Sequence, residues 1–363
     1  MSSGRHFLIK NMKSRKIICI VGPTASGKTD WGVKIARKFD GEIISADSRQ
    51  IYRFLDIGTG KEGVENPKSL PRRQAGKTQM SNQIQNPNVK KLVENIRWVD
   101  EVPQWLIDIC EPGEKFTMFD WLAAAQKVIE DIFRRGKLPV VVGGTGLYVQ
   151  ALTEGFTLEK SEIRMSKSET NNRQNLEKKP KEELQEILKR LDPVVYKQID
   201  KNNLHRLIRA IERAQAGEIV SKKRPDFEVL QIAIDLPRAE LYQRIDQRVD
   251  QWFRQGFVEE VQGLLKSGVD PKWLEKIGLE YRLLTKYLLK NPKSLPRRQA
   301  GKTQMSNEIQ SPNVKFEEMK QKMKFAIHSY ARRQLTWFRR FSEIIWCRDL
   351  KAAKKEFKKF LAS

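Results

Sequence analysis

Cysteine is scarce in this chain: Cys19, Cys110 and Cys347 are the three among 363 residues, and they lie far apart. That spacing excludes a disulfide framework and a cysteine-built zinc site, and it fits a reducing cytoplasm. Long apolar runs are missing as well. None reaches the ~18 residues that a membrane-spanning helix needs, so no membrane partner is expected. The start of the chain lacks acids, with none before Asp30, and it also lacks the apolar stretch of a secretory signal. An organelle presequence would share the missing acids, but a disordered basic tail over residues 1–15 is the plainer expectation.

Acids are short throughout. Forty-five Asp and Glu against 69 Lys and Arg leave a net charge of +24. A surplus of this size points to a polyanionic partner, foremost a nucleic acid, because each phosphate contact takes a cation. The bland alternative is a basic surface that only keeps the chain soluble. The length suffices for one large domain or two ordinary ones, with a sizeable core.

What is present begins with Gly22-Pro23-Thr24-Ala25-Ser26-Gly27-Lys28-Thr29, which has the two glycines, the Lys and the Thr of a phosphate-binding loop. The β-branched run Ile17–Val21 before it predicts a buried strand. Trp31, Val33, Ile35 and Ala36 after it begin a helical pattern. In that order the glycines let the backbone wrap a phosphate, and amides and helix N-terminus face its charge. Lys28 adds a point charge, and the Thr29 hydroxyl is a ligand for Mg²⁺. A diphosphate or a triphosphate would fit equally.

Two stretches, 66–90 and 291–315, are nearly identical, differing only at Gln83/Glu308 and Asn86/Ser311. Copies so far apart cannot be neighbouring turns of a solenoid. Rich in Pro, Asn, Gln and Lys and without a period, they read as two insertions of one element outside the core. Their Gly-Lys-Thr triplets lack the upstream glycine and a preceding strand. Without both copies the chain still carries +15. A basic face extended by the two copies is the functional alternative.

In chain order, Glu42–Ser45 predicts a second strand that delivers Asp47 toward the phosphate loop, since ligands sit past the carboxyl ends of such strands. A helix cap is the other reading of Asp47-Ser48. Trp105–Ile109 predicts a further strand, and its Asp108 is placed as a metal-binding carboxylate would be, although inside the run. Phe119–Phe133 has helical spacing. Leu138–Val142 predicts a core strand feeding a second glycine-rich turn, Gly143–Tyr148. Residues 156–225 read as a charged helical module, with Arg206 and Arg209 on one face. Val229–Leu236 returns to the sheet. Helices are expected over Leu241–Gly256, Val258–Ser267, Lys272–Leu289 and Phe316–Phe341, with Trp337 and Phe341 as core groups.

These pieces resemble the tRNA dimethylallyltransferase family, apart from the repeats and the basic N-terminus. The carrying motifs are the phosphate loop, Asp47-Ser48-Arg49-Gln50-Ile51-Tyr52, Asp56 to Lys61, Gly143 to Tyr148, Arg206-Leu207-Ile208-Arg209-Ala210, Gly278 to Arg282, and Arg333-Gln334-Leu335-Thr336-Trp337. The resemblance implies an α/β fold with a P-loop NTPase-like parallel sheet, flanking helices and an inserted helical module. It implies transfer of a dimethylallyl group from dimethylallyl diphosphate to N6 of the adenosine 3′ of the tRNA anticodon. Asp47 would take or polarise the N6 proton, Thr24 would sit beside the allylic carbon, and Gly22 to Thr29 with Mg²⁺ would hold the diphosphate. The tRNA anticodon stem-loop would meet Asp47, Ser48, Arg49, Gln50, Thr145, Arg164, His205, Arg206, Leu207, Ile208, Arg209, Lys276, Ile277, Gly278, Leu279, Glu280, Tyr281, Arg282 and Arg333. The helical module would grip the stem, and a cytoplasmic monomer is expected.

The chain departs from the family pattern in places. Glu280-Tyr281-Arg282 stands where Gly-Tyr-Arg is usual, Gln104-Trp105 where a His is common, and no zinc-finger extension follows, which favours a bacterial type. Three rival readings are an adenylate isopentenyltransferase acting on a free nucleotide, a P-loop kinase or ATPase, and an RNA-binding protein silenced by its insertions.

Overall fold

The computed structural model describes residues 15–62, 95–160, 172–291 and 310–363. The chain divides into two compact units, Met1–Thr153 with Asp226–Ser363, and Glu154–Pro225. The basic tail, the first repeat and most of the second lie outside the described residues.

The first unit opens with β1 (Lys16–Val21), α1 (Lys28–Lys38), β2 (Gly41–Ser45), β3 (Arg97–Val99), β4 (Val102–Trp105), α2 (Met118–Arg134), β5 (Leu138–Gly143) and α3 (Gly146–Thr153). β1, β2 and β5 are buried along their whole length. Such continuous β-branched runs suit parallel strands covered on both faces. α2 starts at a reciprocal cap, in which Thr117 Oγ1 accepts from Asp120 N and the Asp120 carboxylate accepts from Thr117 N.

The second unit holds β6 (Phe156–Lys160), α4 (Asn172–Glu177), α5 (Lys181–Leu191), α6 (Pro193–Gln198), α7 (Leu204–Gln215) and β7 (Glu218–Lys222). Its small core joins Leu176, Leu184, Leu188, Leu207, Ile208 and Ile211. The expected all-helical module is corrected here. β6 and β7 pair antiparallel, Phe156 opposite Lys222 and Lys160 opposite Glu218, so the helices spring from a two-stranded ribbon.

The first unit resumes with β8 (Glu228–Ile234), α8 (Arg238–Gln255), α9 (Phe257–Lys266), α10 (Pro271–Ile277), α11 (Leu279–Lys290), α12 (Gln310–Phe338), β9 (Ile345–Cys347) and α13 (Leu350–Ala362). The expected single helix over Lys272–Leu289 is broken at the extended residue Gly278. β3, β9 and α13 have no counterpart among the expected elements. α12 begins inside the second repeat, which was expected to lack helical structure.

Seven strands form one sheet in the order β3-β4-β2-β5-β1-β8-β9. Every pair is parallel except β3 with β4. In register, Val21 faces Gly143 and Ser45 faces Val142. β1, β5 and β2 therefore finish level, and the loops after all three emerge along one edge. One core packs α1 and α13 with Ile18, Ile20, Val140, Val142 and Ile232. A second packs α8 to α12 around Ile51, Tyr52 and Leu55. Among the described residues no helix is long and apolar enough to cross a membrane.

Candidate active site

The loop between β1 and α1 takes its shape from two glycines at positive φ, Gly22 at 149° and Gly27 at 90°. Ala25 shares the left-handed region at φ 61°, a strain of about 1 kcal/mol for a residue with a Cβ. Lys28 Nζ donates to Pro23 O at 2.9 Å. Burial pushes the Lys28 ammonium down to about 8, with Arg248 and Arg49 pushing the same way and Asp47 opposing them. The buried Ser26 hydroxyl has no hydrogen-bond partner among the described residues.

Two neighbouring loops close on this one. Ala46 N donates to Val142 O at 2.8 Å and Thr145 N to Ala46 O at 3.1 Å. Glycine is required at 143, because a Cβ there would stand 2.1 Å from Ala46 O. Ser48 N donates to Thr145 Oγ1 at 3.0 Å. Asp47 Oδ1 accepts from Arg49 N at 3.0 Å. That bond closes a turn and leaves the carboxylate on the cleft wall; no helix follows Asp47, so the helix-cap reading is not met. Thr24, Ala25, Gly27, Lys28, Thr29, Asp47, Arg49 and Gln50 all line one cleft.

The wall opposite comes from residues with no site role expected from the sequence, in which Gln334 stands only within a family motif. Gln334 on α12 accepts from Thr24 N and donates to Gly144 O, each at 2.9 Å. It ties the phosphate loop to the second glycine-rich turn. Arg244 and Arg248, one turn apart on α8, reach Ser26 O at 3.5 Å and Gly60 O at 3.4 Å. Arg248 lines the cleft, and burial pushes its guanidinium down. Glu260 on α9 accepts from the amides of Asp56, Ile57 and Gly58 at 2.8, 2.6 and 3.3 Å, and from Tyr281 Oη at 2.7 Å. It thereby fixes the cleft loop around Gly58–Gly60. Their i, i+4 spacing on a helix is the only signal that could have paired Arg244 with Arg248, and what places them beside these loops is tertiary packing.

Several expected site residues are placed otherwise. The strand expected over Trp105–Ile109 stops at Trp105, and Leu106 and Asp108 take positive φ. Asp108 is no metal ligand: Lys61 takes its Oδ1 and Arg97 Nε its Oδ2, the latter at 2.5 Å. Among the described residues no group of three His, Cys, Asp or Glu side chains could hold an ion. Glu280 and Tyr281 are buried and bonded to Arg49 and Glu260, respectively. Lys276 and Arg282 are exposed, with Ile277, Gly278 and Leu279 half-buried. Arg333 is exposed over the Tyr330 ring at 5.7 Å. Trp337 packs on α3, where a Cβ on Gly146 would meet its ring at 2.2 Å, but it and Phe341 are half-buried, short of the core role expected.

In the second unit Leu207 and Ile208 belong to the core, while His205 and Arg206 are exposed and Arg209 half-buried on α7. Arg209 bonds Glu212 at 3.0 Å. Arg164 lies outside the described residues.

Comparison with known proteins places this constellation. Residues 90–341 match the family model described as IPP transferase, and residues 15–101 match that described as isopentenyl transferase. A tRNA dimethylallyltransferase 2 of Shewanella sediminis is 36% identical, covering 92% of this chain and 91% of its own. A tRNA dimethylallyltransferase 1 of Parabacteroides distasonis is also 36% identical, covering 92% and 93%. The crystal structure of a tRNA isopentenylpyrophosphate transferase from Bacillus halodurans is 31% identical with a TM-score of 0.59, covering 96% of both chains. A cleft between a phosphate loop and a facing carboxylate, on a seven-stranded α/β sheet matched over nearly its whole length, makes this chain a member of the tRNA dimethylallyltransferase family.

Proposed function

We propose that the cleft carries out the family's transfer with the following division of labour. Dimethylallyl diphosphate is held by its diphosphate in the loop Gly22–Thr29. The amides of that loop, the α1 N-terminus and Lys28 stabilise the charge that grows on the leaving group. Arg244, reaching Ser26 O, and Arg248, lining the cleft beside Gly60, add cations from α8. The N6 amine of the adenosine 3′ of the anticodon attacks the allylic carbon, the carbon–oxygen bond to diphosphate breaks, and Asp47 receives the amine proton. Thr24 stands beside the reacting carbon. The observation that carries this reading is that Asp47 and the phosphate loop share one cleft.

Mg²⁺ fits these residues. Thr29 on the cleft wall, with no cluster of three acidic, His or Cys side chains among the described residues, suits an ion that keeps its waters and leans on substrate phosphates. Bound there with the diphosphate, Mg²⁺ would supply charge neutralisation for the leaving group.

The base must leave its stack to enter the cleft, at a few kcal/mol. Ser48, Gln50 and Thr145 around the cleft, exposed Lys276, Arg282 and Arg333, and the basic face of α7 are assigned to the anticodon stem-loop. The second unit grips the stem. The working unit is taken as one chain in the cytoplasm, a location in keeping with three cysteines that are buried and free.

The test is transfer of label from dimethylallyl diphosphate to an anticodon stem-loop RNA, with AMP and an Asp47→Ala variant in parallel. Label on RNA that disappears in the variant is the expected result. Label on AMP alone would move the chain to the nucleotide-prenylating class.

A further inference from the structure

Arg49 follows the proposed base by two residues, yet its guanidinium is bound elsewhere. Its Nη1 donates to Glu280 Oε1, and its ring-like plane lies 5.4 Å from the centre of the Tyr330 ring. Its Nε stops 4.0 Å from Asp47 Oδ1, outside hydrogen-bond reach. Glu280 is 1% exposed, so its charge is held by this cation and not by water. The clamp is built into the break between α10 and α11. A Cβ on Gly278 would come within 2.7 Å of Glu280 Oε1 and 3.2 Å of Arg49 Nη1, so only glycine lets the two side chains meet there. Among the described residues no donor reaches Asp47 Oδ2.

A buried cation seeks whichever carboxylate is near. Without Glu280, the nearest to Arg49 is Asp47, and a small rotation of the Arg49 side chain would tighten the present 4.0 Å contact into a hydrogen-bonded ion pair. We propose that Glu280 is a positioning residue for the transfer: by holding Arg49 it keeps that cation off Asp47 and leaves the Asp47 carboxylate open to the cleft. The inference rests on Asp47 being the base. A captured carboxylate is a poorer base, because the cation favours its charged form and occupies its lone pairs. Lys28, Arg248, Tyr330 and Tyr148 also face Asp47, and none of them changes in the test below.

The experiment is steady-state prenyl transfer to the stem-loop RNA by the full chain, as wild type, Glu280→Gln, Arg49→Met/Glu280→Gln and Asp47→Asn, across pH. Glu280→Gln is expected to lower kcat about tenfold with both KM values within about twofold. Its acid limb of kcat/KM moves to lower pH, the direction an added cation imposes on a carboxylate. The double variant, lacking the freed cation, regains at least about threefold over Glu280→Gln; a merely structural Glu280 would give no such rescue. Wild-type kcat in Glu280→Gln, a loss confined to the RNA KM, or no rescue in the double variant overturns the proposal. If Glu280→Gln melts too low to assay, Glu280→Asp decides: it keeps the buried charge but draws it back from Arg49, and an unchanged kcat overturns the proposal. Wild-type kcat in Asp47→Asn would remove the base assignment and this inference with it, whereas loss there with none in Glu280→Gln removes the inference alone.

Discussion

Lys28 is charged in a place that disfavours charge, and its removal should stabilise the ligand-free protein while abolishing its use. Its pKa falls from the ordinary 10.5 to about 8, chiefly through burial, which at 1.36 kcal/mol per tenfold amounts to about 3 kcal/mol. Between about pH 8 and 10.5 the unfolded chain keeps a proton on this amine that the folded chain has lost. Stability therefore rises with pH through that window, and the whole cost is present below it. Lys28→Met removes the cost together with one hydrogen bond to Pro23 O, itself about 1 kcal/mol. The variant should be about 2 kcal/mol more stable than wild type at pH 7, and that advantage should close by about pH 10. Urea unfolding of both proteins at the two pH values measures it. A bound diphosphate pairs with the ammonium and raises its pKa again, so calorimetry near pH 8.5 should show proton uptake on binding in wild type and neither uptake nor tight binding in the variant. A Lys28→Met protein no more stable at pH 7, or an advantage that does not change with pH, would refute the reasoning.

Asp47→Asn should lower kcat by about 10²–10⁴ while leaving the KM for dimethylallyl diphosphate near wild type; equal losses in binding would sink the base assignment. Gln334→Leu strands a buried amide on Thr24 and a carbonyl on Gly144, a cost of about 2–4 kcal/mol that a urea midpoint would register. Glu260→Ala frees three loop amides, so hydrogen exchange should speed up at Asp56, Ile57 and Gly58, and unchanged protection there would contradict the anchoring role. Gly143→Ala puts a methyl 2.1 Å from Ala46 O, and it should push β2 and β5 apart, read as a lower melting temperature with reduced transfer.

Much of the fold was legible because its signals are local. Ile17–Val21 and Leu138–Val142 are continuous β-branched runs that only a covered parallel strand accommodates, and the glycines, Lys28 and Thr29 follow the first at fixed spacing. The failures share a cause as well. Trp105–Ile109 looks like one apolar strand, but the amides of Asp108 and Ile109 bond to Gln50 O and Ile51 O instead of extending the ladder. Lys272–Leu289 looks like one helix, yet Gly278 opens it to admit Glu280 beside Arg49. The three-residue strands β3 and β9 are too short to carry a period.

The sequence by itself determined the strand–loop–helix that grips phosphate, the carboxylate set at the end of the next strand, and the basic charge that suits an RNA partner, because each depends on residues adjacent in the chain. Only the tertiary structure decided which distant groups complete the cleft. Gln334 meets Thr24 across 310 residues and Glu280 meets Arg49 across 231, and Arg248 lines the cleft because α8 packs by Leu241, Ile245 and Val249. No local pattern encodes such meetings, since they follow from how buried apolar faces stack. The same packing pairs Asp108 with Lys61 and Arg97 and buries Leu207, Ile208 and Tyr281.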